Sequence, residues 1–185
     1  MKSTVSTALL KEKVKALVRP ERWAHIERVA ALAREIALKN GLDGEKAYLA
    51  GILHDAARDL GEEELLKLAP PENEVERAHP LSLHGRAARA LAESWGVEDA
   101  EVLEAVEGHV YGVDPENPLG MALYIADISE PARGVNGEIR ELALSGRLLE
   151  AYRLAVGNKV AYLMAKGIPL HPKTLSVYHR LKDAP

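Results

Sequence analysis

The sequence predicts an all-α protein that folds as a single helical bundle. Apolar residues recur at helical spacing along nearly the whole chain, and no segment shows the strict apolar–polar alternation of a half-buried strand. Residues typical of helix boundaries separate the periodic segments: Pro20 suits a helix start, Gly41 follows "LKN" as a helix stop, and Asp43 can cap the next helix. These observations indicate successive helices with short connections.

The periodic segments give the order of the helices. We predict helices at about residues 4–18, 20–40, 43–60, 62–69, 80–95, 98–109, 116–130, 137–145, 147–166 and 172–182. The longest irregular connections are "APPENEVERAHP" (69–80) and "YGVDPENP" (111–118), both rich in turn-forming residues. Neither has the character of an interdomain linker. We therefore expect one domain over residues 1–185.

Composition and charge exclude several classes of function. The 185 residues carry a formal net charge of −4, which gives no general attraction to nucleic acid or to an anionic membrane. There is no Cys, so disulfides, thiolate metal sites and a Cys nucleophile are excluded. No stretch approaches the roughly 18 apolar residues that span a bilayer, and the N-terminus lacks the apolar region of a secretion signal. We expect a cytoplasmic protein with neither nucleic-acid nor membrane partners, and no pattern indicates an oligomeric state.

Five of the predicted helices carry a histidine or aspartate where the helical pattern expects an apolar residue. In helix 20–40, His25 shares a face with Val29 and Ile36, so it should point inward. In helix 43–60, His54 and Asp55 stand side by side in the apolar segment "GILHDAARDL". The same argument applies to His84 on the face of Leu81, Ala88 and Leu91, to His109 with Val102 and Val106, and to Asp127 with Leu119 and Leu123.

Each of these residues also has an ordinary structural explanation. A lone inward histidine such as His25 or His84 is commonly a hydrogen-bonded core residue. His109 near a helix C-terminus could satisfy the last carbonyls, and Asp127 could pair with an arginine. Four imidazoles and two carboxylates in one bundle, however, need mutual satisfaction, and metal ions provide it. Nitrogen and carboxylate ligands suit iron, manganese or zinc, and six groups suit two ions.

The spacing H…HD…H…H…D is similar to that of the HD-domain phosphohydrolase superfamily. The segments "PERWAHIERVAALA", "AGILHDAARDL", "HPLSLHG", "VEGHVYG" and "ALYIADISEPARG" resemble the bacterial YqeK-type hydrolases, which split diadenosine tetraphosphate symmetrically into two ADP. The similarity extends from about residue 18 to the end of the sequence. It implies an HD-type domain with a metal-binding core at about 20–130 and C-terminal helices at about 137–183 packed on it.

The resemblance also implies roles for the six candidate ligands. His25, His54, Asp55 and Asp127 would hold one divalent ion, with iron favoured and manganese or zinc possible. Asp55 would bridge to a second ion held by His84 and His109. Where the family usually has Thr after its first and fourth histidines, this chain has Ile26 and Val110. The other histidines lie outside this pattern: His79, His171 and His179.

Hydrolysis of a phosphoanhydride needs an activated water and cations for the phosphate oxygens. Metal ions lower the pKa of bound water, so we expect a metal-activated hydroxide, with Asp55 and Arg58 as catalytic residues. Arg58 would lie one helical turn past His54. Candidate contacts to the nucleotide substrate are Arg22, Arg58, Arg133 and Tyr124, with Arg86, Tyr111 and Trp95 as further candidates.

Other functions fit the same residues. An HD phosphohydrolase could act on another nucleotide: a monophosphate, a triphosphate or a cyclic dinucleotide. A nucleotide-binding sensor without turnover would not need six metal ligands. A purely structural bundle would leave the buried polar groups unexplained. Metal content distinguishes the last alternative from the others, and turnover distinguishes an enzyme from a sensor.

Overall fold

A computed structural model describes residues 5–183, and within this range the secondary structure is entirely helical. The prediction of an all-α fold is therefore confirmed. No helix in the described range is both long enough and apolar enough to cross a membrane. The α-helices are α1 (Thr7–Lys15), α2 (Pro20–Lys39), α3 (Gly44–Leu53), α4 (Glu62–Leu68), α5 (Glu74–Ala78), α6 (His84–Ser94), α7 (Ala100–Gly108), α8 (Pro118–Ser129), α9 (Gly137–Leu144), α10 (Leu148–Ala165) and α11 (Pro172–Asp183).

Side-chain caps explain where several of these helices begin. The Asp43 carboxylate accepts hydrogen bonds from two backbone N–H groups in the first turn of α3. Asp99 caps α7 in the same way, and the Asn117 side chain caps α8. Pro20 occupies the first position of α2, where its missing N–H costs nothing. Local sequence thus explains the starts of α2, α3, α7 and α8, whereas α6, which begins with His84, has no side-chain cap.

The helix predicted over 43–60 ends at Leu53, which corrects the sequence interpretation. After His54, the backbone N–H groups of Ala56 and Arg58 bond to carbonyls only three residues back, at Leu53 and Asp55. These tight turns replace α-helix up to Leu60. Asp55 consequently lies beyond the helix end, in a turn that directs its carboxylate into the bundle.

Other boundaries also differ from the prediction. The connection at 69–80 contains the short helix α5, and the predicted helix at 80–95 opens with a 3-10 turn over Pro80–Leu83 before α6 begins. The prediction that Leu81 faces inward is wrong, because 49% of Leu81 is exposed in that turn. The helix predicted at 4–18 corresponds to Thr7–Lys15, and residue 4 lies outside the described range.

The packing brings the ligand-bearing helices together in the middle of the bundle. α2 packs on both α3 and α8, while α7 packs on α6, α8 and α3. Gly51 permits the closest of these approaches, since a Cβ there would stand 2.5 Å from the Cα of Ala30 in α2. On the far side, α10 packs on α8, α9 and α11. The C-terminal helices therefore cover the elements that carry the candidate site.

Candidate metal centre

The six candidate ligands converge at the centre of the bundle in two groups. One group contains His25, His54, Asp55 and Asp127, and the other contains Asp55, His84 and His109. Within each group, one ligand atom from every residue lies within 4.8 Å of all the others. Asp55 belongs to both groups. Residues more than 100 positions apart in sequence thus form one compact constellation.

Asp55 turns one carboxylate oxygen toward each group. Its Oδ2 lies 3.6 Å from His25 Nε2 and 3.4 Å from His54 Nε2. Its Oδ1 lies 3.6 Å from His84 Nε2 and 3.4 Å from His109 Nε2. A carboxylate placed in this way can bridge two cations.

Backbone carbonyls orient three of the four imidazoles. The Nδ1 atoms of His54, His84 and His109 each lie 2.6–2.7 Å from the carbonyl oxygen three residues earlier. Carbonyls only accept hydrogen bonds, so Nδ1 carries the proton in each case and Nε2 faces the site. This arrangement is typical of histidines that bind a metal through Nε2.

The facing nitrogen atoms form a set of donors that can hold a cation. His84 Nε2 and His109 Nε2 are 3.1 Å apart, and because Nδ1 of each ring bonds to a carbonyl, both Nε2 atoms face the site. His54 Nε2 is buried without a hydrogen-bond partner and faces the oxygens of Asp55 and Asp127 at 3.4 and 3.5 Å. The donor set of imidazole nitrogens and carboxylate oxygens fits divalent metal ions of the iron, manganese and zinc type.

The electrostatics of the centre favour a positive charge at His54, between two carboxylates. Burial by itself lowers the pKa of His54, but the charges of Asp55 and Asp127 outweigh it and raise that pKa to about 9. Burial by itself raises the pKa of the Asp55 and Asp127 carboxyl groups. The charge of His54 more than offsets this effect at Asp55, and the hydrogen bond with His25 together with the charge of His54 does so at Asp127, so both pKa values fall below the usual range.

The surroundings of His84 lower its pKa, whereas those of His54 raise the pKa of that residue. Burial, together with the charge of the neighbouring His109, lowers the pKa of His84 to about 4. Its Nε2 lone pair is therefore free of a proton at neutral pH. Close packing of α6 on α7 brings His84 and His109 together. A Cβ at Gly85 would stand 2.7 Å from the carbonyl oxygen of Glu107 in α7. Only glycine at this position lets the start of α6 lie against the end of α7.

A buried carboxylate behind His25 was missed by the sequence analysis. Glu130 is 1% exposed, and its Oε1 lies 3.7 Å from His25 Nδ1. Arg28, one turn after His25, donates to the other oxygen of Glu130 at 2.7 Å. A carboxylate on this side of a metal-binding imidazole orients the ring and increases its basicity. The signal in the sequence was an acidic residue directly before Pro131, at the end of the helix that carries Asp127.

Two of the predicted phosphate-binding arginines lie at the first ligand group. Arg22 Nη1 is 3.6 Å from Asp55 Oδ2, and its Nε is 3.5 Å from Asp59. Arg133 Nη2 is 3.2 Å from Asp127 Oδ1, and its Nε donates to the Asp127 carbonyl. Both guanidinium groups therefore border the candidate metal centre.

The expected position of Arg58 on a helix is wrong, because α3 ends before it. Arg58 lies in the turn after Asp55, and within residues 5–183 its side chain makes no hydrogen bond or ion pair. Its charge still reaches the second ligand group: after burial and the charge of His109, Arg58 also contributes to the lowered pKa of His84. Arg58 is thus a cation beside the second group.

The other candidate substrate contacts, Tyr124, Trp95 and Arg86, make contacts within the protein that do not involve the six candidate ligands. Tyr124 is 2% exposed and packs edge to face on Tyr152, which fits a core residue rather than a ligand contact. Trp95 follows α6, and its ring lies 6.0 Å from the Lys13 ammonium group. Arg86 does not face the metal centre, since its guanidinium bonds to Glu72, Glu76 and the Pro70 carbonyl.

A cavity of about 380 Å³ lies beside α6 and α7, but none of the six candidate ligands lines it. Its cations are already paired: Arg89 bonds to Glu107 at 2.8 Å, and Lys173 bonds to Asp114 at 2.9 Å. Neutralised cations offer little to a phosphate. The cavity is therefore distinct from the candidate metal centre.

Comparison with known proteins identifies the class of protein. The sequence profile of the HD domain matches residues 22–132, a range that includes all six candidate ligands. The chain belongs to the HD domain family and is a phosphohydrolase, as the sequence resemblance predicted. The family binds divalent metals through its histidines and aspartates, in agreement with the two ligand groups described above.

Three individual relatives are similar to this chain. The symmetrical bis(5'-nucleosyl)-tetraphosphatase of Bacillus subtilis is 30% identical, over 91% of this chain and 93% of that protein. The probable nicotinate-nucleotide adenylyltransferase/Ap4A hydrolase of Mycoplasma genitalium is 32% identical over 65% of this chain, which spans only 35% of that protein. A crystal structure from Clostridium acetobutylicum, described as a predicted HD superfamily hydrolase involved in NAD metabolism, has a TM-score of 0.88 and 28% identity, covering 97% of this chain and 98% of that one.

Proposed function

We propose that this phosphohydrolase cleaves diadenosine tetraphosphate symmetrically into two molecules of ADP, using two divalent metal ions with iron favoured. The observation that carries the proposal is the carboxylate of Asp55, whose two oxygens each face a separate pair of imidazoles at 3.4–3.6 Å. A carboxylate shared between two ligand groups is typical of two-metal centres that cleave phosphate bonds.

The chain supplies the metal ligands and holds them in place. His25, His54 and Asp127 complete the first ligand group, while His84 and His109 complete the second. Bound divalent ions at these positions would lower the pKa of water toward neutrality and neutralise phosphate oxygens. Backbone carbonyls on three imidazoles and Glu130 beside His25 favour the orientation in which Nε2 faces the ligand groups.

Three arginines border this centre from different elements. Arg22 on α2 and Arg133 after α8 lie at the first group, and Arg58 lies beside the second. Guanidinium groups bind phosphate oxygens in pairs and stabilise charge that develops on the leaving phosphate. Cations whose charges act on both ligand groups suit a polyphosphate whose central bond is cleaved, because its negative charge extends in both directions from that bond.

The similarity to relatives supports this choice of substrate. The chain matches nearly the whole length of a protein named as a symmetrical bis(5'-nucleosyl)-tetraphosphatase. Water attack on the central phosphoanhydride balances as one diadenosine tetraphosphate and one water giving two ADP. No covalent intermediate is needed, so the lack of Cys has no consequence for the reaction.

Product analysis tests the proposal. The metal-stripped protein is loaded anaerobically with Fe²⁺, or with Mn²⁺ in a parallel sample, and given diadenosine tetraphosphate in ¹⁸O-labelled water. We expect ADP as the only nucleotide product, with one labelled ADP for each unlabelled one. AMP and ATP in equal amounts would contradict symmetrical cleavage. No turnover with metal bound would contradict this substrate and favour another nucleotide or a sensor.

A matched pair of variants connects turnover to the second ligand group. His84→Gln removes an imidazole that faces Asp55, so turnover should fall at least about 100-fold if both ions are needed. His79→Gln is the control, because His79 is exposed in the same segment and only its backbone makes hydrogen bonds. Equal activity of the two variants would contradict a role for the second group.

A further inference from the structure

The C-terminal helices make several hydrogen bonds to the loop that follows His109. Lys159 in α10 donates to the Val110 carbonyl at 2.6 Å, and the Tyr152 hydroxyl donates to the Val113 carbonyl at 2.8 Å. The hydroxyl of buried Thr174 in α11 donates to the Tyr111 carbonyl at 2.7 Å. These C-terminal residues lie beyond the segment that matches the HD domain, which ends at residue 132.

Tyr111 occupies the centre of this arrangement. Its ring stacks on the His171 ring, with centroids 3.6 Å apart and planes 16° from parallel. The His171 ring is itself held in place, since its Nε2 lies 2.7 Å from the buried carboxylate of Glu76. The backbone and the ring of Tyr111 therefore each have a fixed partner in the C-terminal segment.

The hydroxyl of Tyr111 connects this fixed point to the other half of the second ligand group. It donates to Ser82 Oγ, in the 3-10 turn just before His84. The neighbouring Leu81 carbonyl is the group that accepts from His84 Nδ1 at 2.7 Å. Tyr111 lies two residues after His109 and Ser82 two residues before His84, so one hydrogen bond joins the segments that carry the two imidazoles.

We propose that Tyr111 is a positioning residue for the second metal position: anchored by His171 and Thr174, its bond to Ser82 holds His84 and His109 in register. The four residues of the first ligand group come from α2, α3 with the turn after it, and α8, so His25, His54 and Asp127 lie outside the two segments that the hydrogen bond between Tyr111 and Ser82 joins. Loss of the Tyr111 hydroxyl should therefore affect one metal position and spare the other. This inference rests on the proposed two-metal centre.

Calorimetric titration of the metal-stripped protein with Mn²⁺ tests the inference without any measurement of turnover. Wild-type protein should bind two ions, and the ion whose binding is lost in His84→Gln is assigned to the second position. In Tyr111→Phe, which keeps the ring on His171, the dissociation constant of that ion should rise about 10-fold or more. The dissociation constant of the ion at the first ligand group should remain as in wild type. The melting temperature of the metal-free protein should also be unchanged.

Two further variants separate positioning from general destabilisation. Ser82→Ala should weaken binding of the same ion. Adding Tyr111→Phe to Ser82→Ala should cause no further weakening, because Ser82→Ala already removes the Tyr111–Ser82 hydrogen bond, together with the bond from Ser82 to the His79 carbonyl. Tyr48→Phe is the control, since Tyr48 is a half-buried tyrosine whose hydroxyl accepts from Lys11, away from the metal centre.

The possible results are distinct. Unchanged Mn²⁺ binding in Tyr111→Phe, or parallel weakening of both ions, would overturn the positioning role while leaving the proposed function intact. A wild-type protein that binds only one ion would overturn both the two-metal centre and this inference. Selective weakening of the second ion in Tyr111→Phe and Ser82→Ala, but not in Tyr48→Phe, would establish it.

Discussion

At the scale of single residues, the buried polar groups of the bundle are arranged in pairs that complement each other. Asp55 offers one oxygen to each ligand group, and every imidazole around it has its far nitrogen occupied by a carbonyl or faced by a carboxylate. Burying such groups is costly unless every lone pair and proton has a partner. Divalent ions would complete these partnerships, so the arrangement suits metal binding.

The substitution Asp55→Ala should abolish both metal positions. It removes the oxygens that face His25 and His54 on one side and His84 and His109 on the other. We expect metal content near zero by elemental analysis, and turnover lowered at least about 100-fold. Asp43→Asn is the control, because asparagine also caps a helix and Asp43 lies away from the centre. A fully metallated, active Asp55→Ala protein would show that the two-metal centre is wrong.

The substitution Arg58→Ala should reduce turnover or substrate affinity about 10- to 1000-fold while metal content stays unchanged. The reason is that Arg58 is a cation beside the second group but makes no ion pair within the described range that its loss would disrupt. Steady-state kinetics and elemental analysis on the same preparation provide the measurement. Arg147→Ala, which alters an exposed arginine paired with Glu150, is the control. Wild-type kinetics for Arg58→Ala would remove this residue from the site.

At the scale of secondary-structure elements, helix ends matter more than helix interiors for this site. His54 follows the end of α3, His84 begins α6, and His109 follows the end of α7. At such positions the chain can change direction, and in each case the carbonyl three residues back accepts a hydrogen bond from Nδ1 of the imidazole. Close contact between elements then decides whether two of these ends can share an ion.

The substitution Gly85→Ala tests this dependence on close packing. The new Cβ would meet the Glu107 carbonyl oxygen at 2.7 Å, so α6 must move away from α7 and carry His84 with it. We expect weaker binding of the second ion and a free energy of unfolding lowered by about 1–3 kcal/mol. Gly157→Ala in α10 is a matched control, since nothing lies within 4 Å of its new Cβ and alanine favours a helix. Equal metal binding in the two variants would contradict the packing argument.

The attachment of α5 to the segment before α11 should depend on pH. Burial raises the pKa of Glu76, but the hydrogen bond with His171, the Glu72 N–H group and the charge of Arg86 outweigh it, so the folded-state pKa lies below 4.5. A depressed carboxyl pKa stabilises the fold above the unfolded pKa, and this contribution is lost as pH falls through the folded pKa.

The substitution Glu76→Gln should therefore lower the free energy of unfolding by about 1–3 kcal/mol at pH 7. The difference from wild type should stay constant from pH 7 to about 4.5 and then shrink as pH falls through the lower folded-state pKa, where the wild-type carboxylate is protonated as well; the pH series therefore extends below 4.5. Urea unfolding at a series of pH values gives the measurement. Glu63→Gln, at an exposed residue of α4, is the control. A difference that is constant across this pH range would show that the charge of Glu76 contributes nothing.

At the scale of the whole molecule, the metal centre joins helices that are distant in sequence. The hydrogen bond between His25 and Asp127 alone spans 102 residues, and the second group joins α6 to α7. An ion bound to such ligands binds the folded state and has no equivalent site in the unfolded chain. Metal binding is therefore expected to stabilise the entire bundle.

Removal of metal should lower the melting temperature. At a free-metal concentration of about 100 times the dissociation constant, binding stabilises the fold by about 2.7 kcal/mol, which corresponds to roughly 5–10 °C for a chain of this size. Thermal unfolding in Mn²⁺ and in a chelator measures the effect. Asp55→Ala should melt at the same temperature in both solutions. A wild-type melting temperature that does not respond to metal would contradict the proposed centre.

The sequence by itself determined the class of fold and the set of candidate ligands. Helical periodicity and boundary residues are local signals, so they placed α2, α8 and α10 closely, and they marked His25, His54 and Asp127 as polar residues on apolar faces. The same signals failed over residues 54–60. There the chain follows tight turns that carry Asp55 into the site, although the local pattern is that of a helix.

Only the tertiary structure decided how these residues act together. It gave Asp55 one oxygen for each ligand group, placed Glu130 behind His25, turned Arg86 away to Glu76, and placed Tyr124 in the core. It also brought His171, which the sequence pattern left outside the site, against Tyr111. The physical reason is that periodicity reports which face of a helix is buried, whereas partners across the bundle depend on how helices pack and where each one ends.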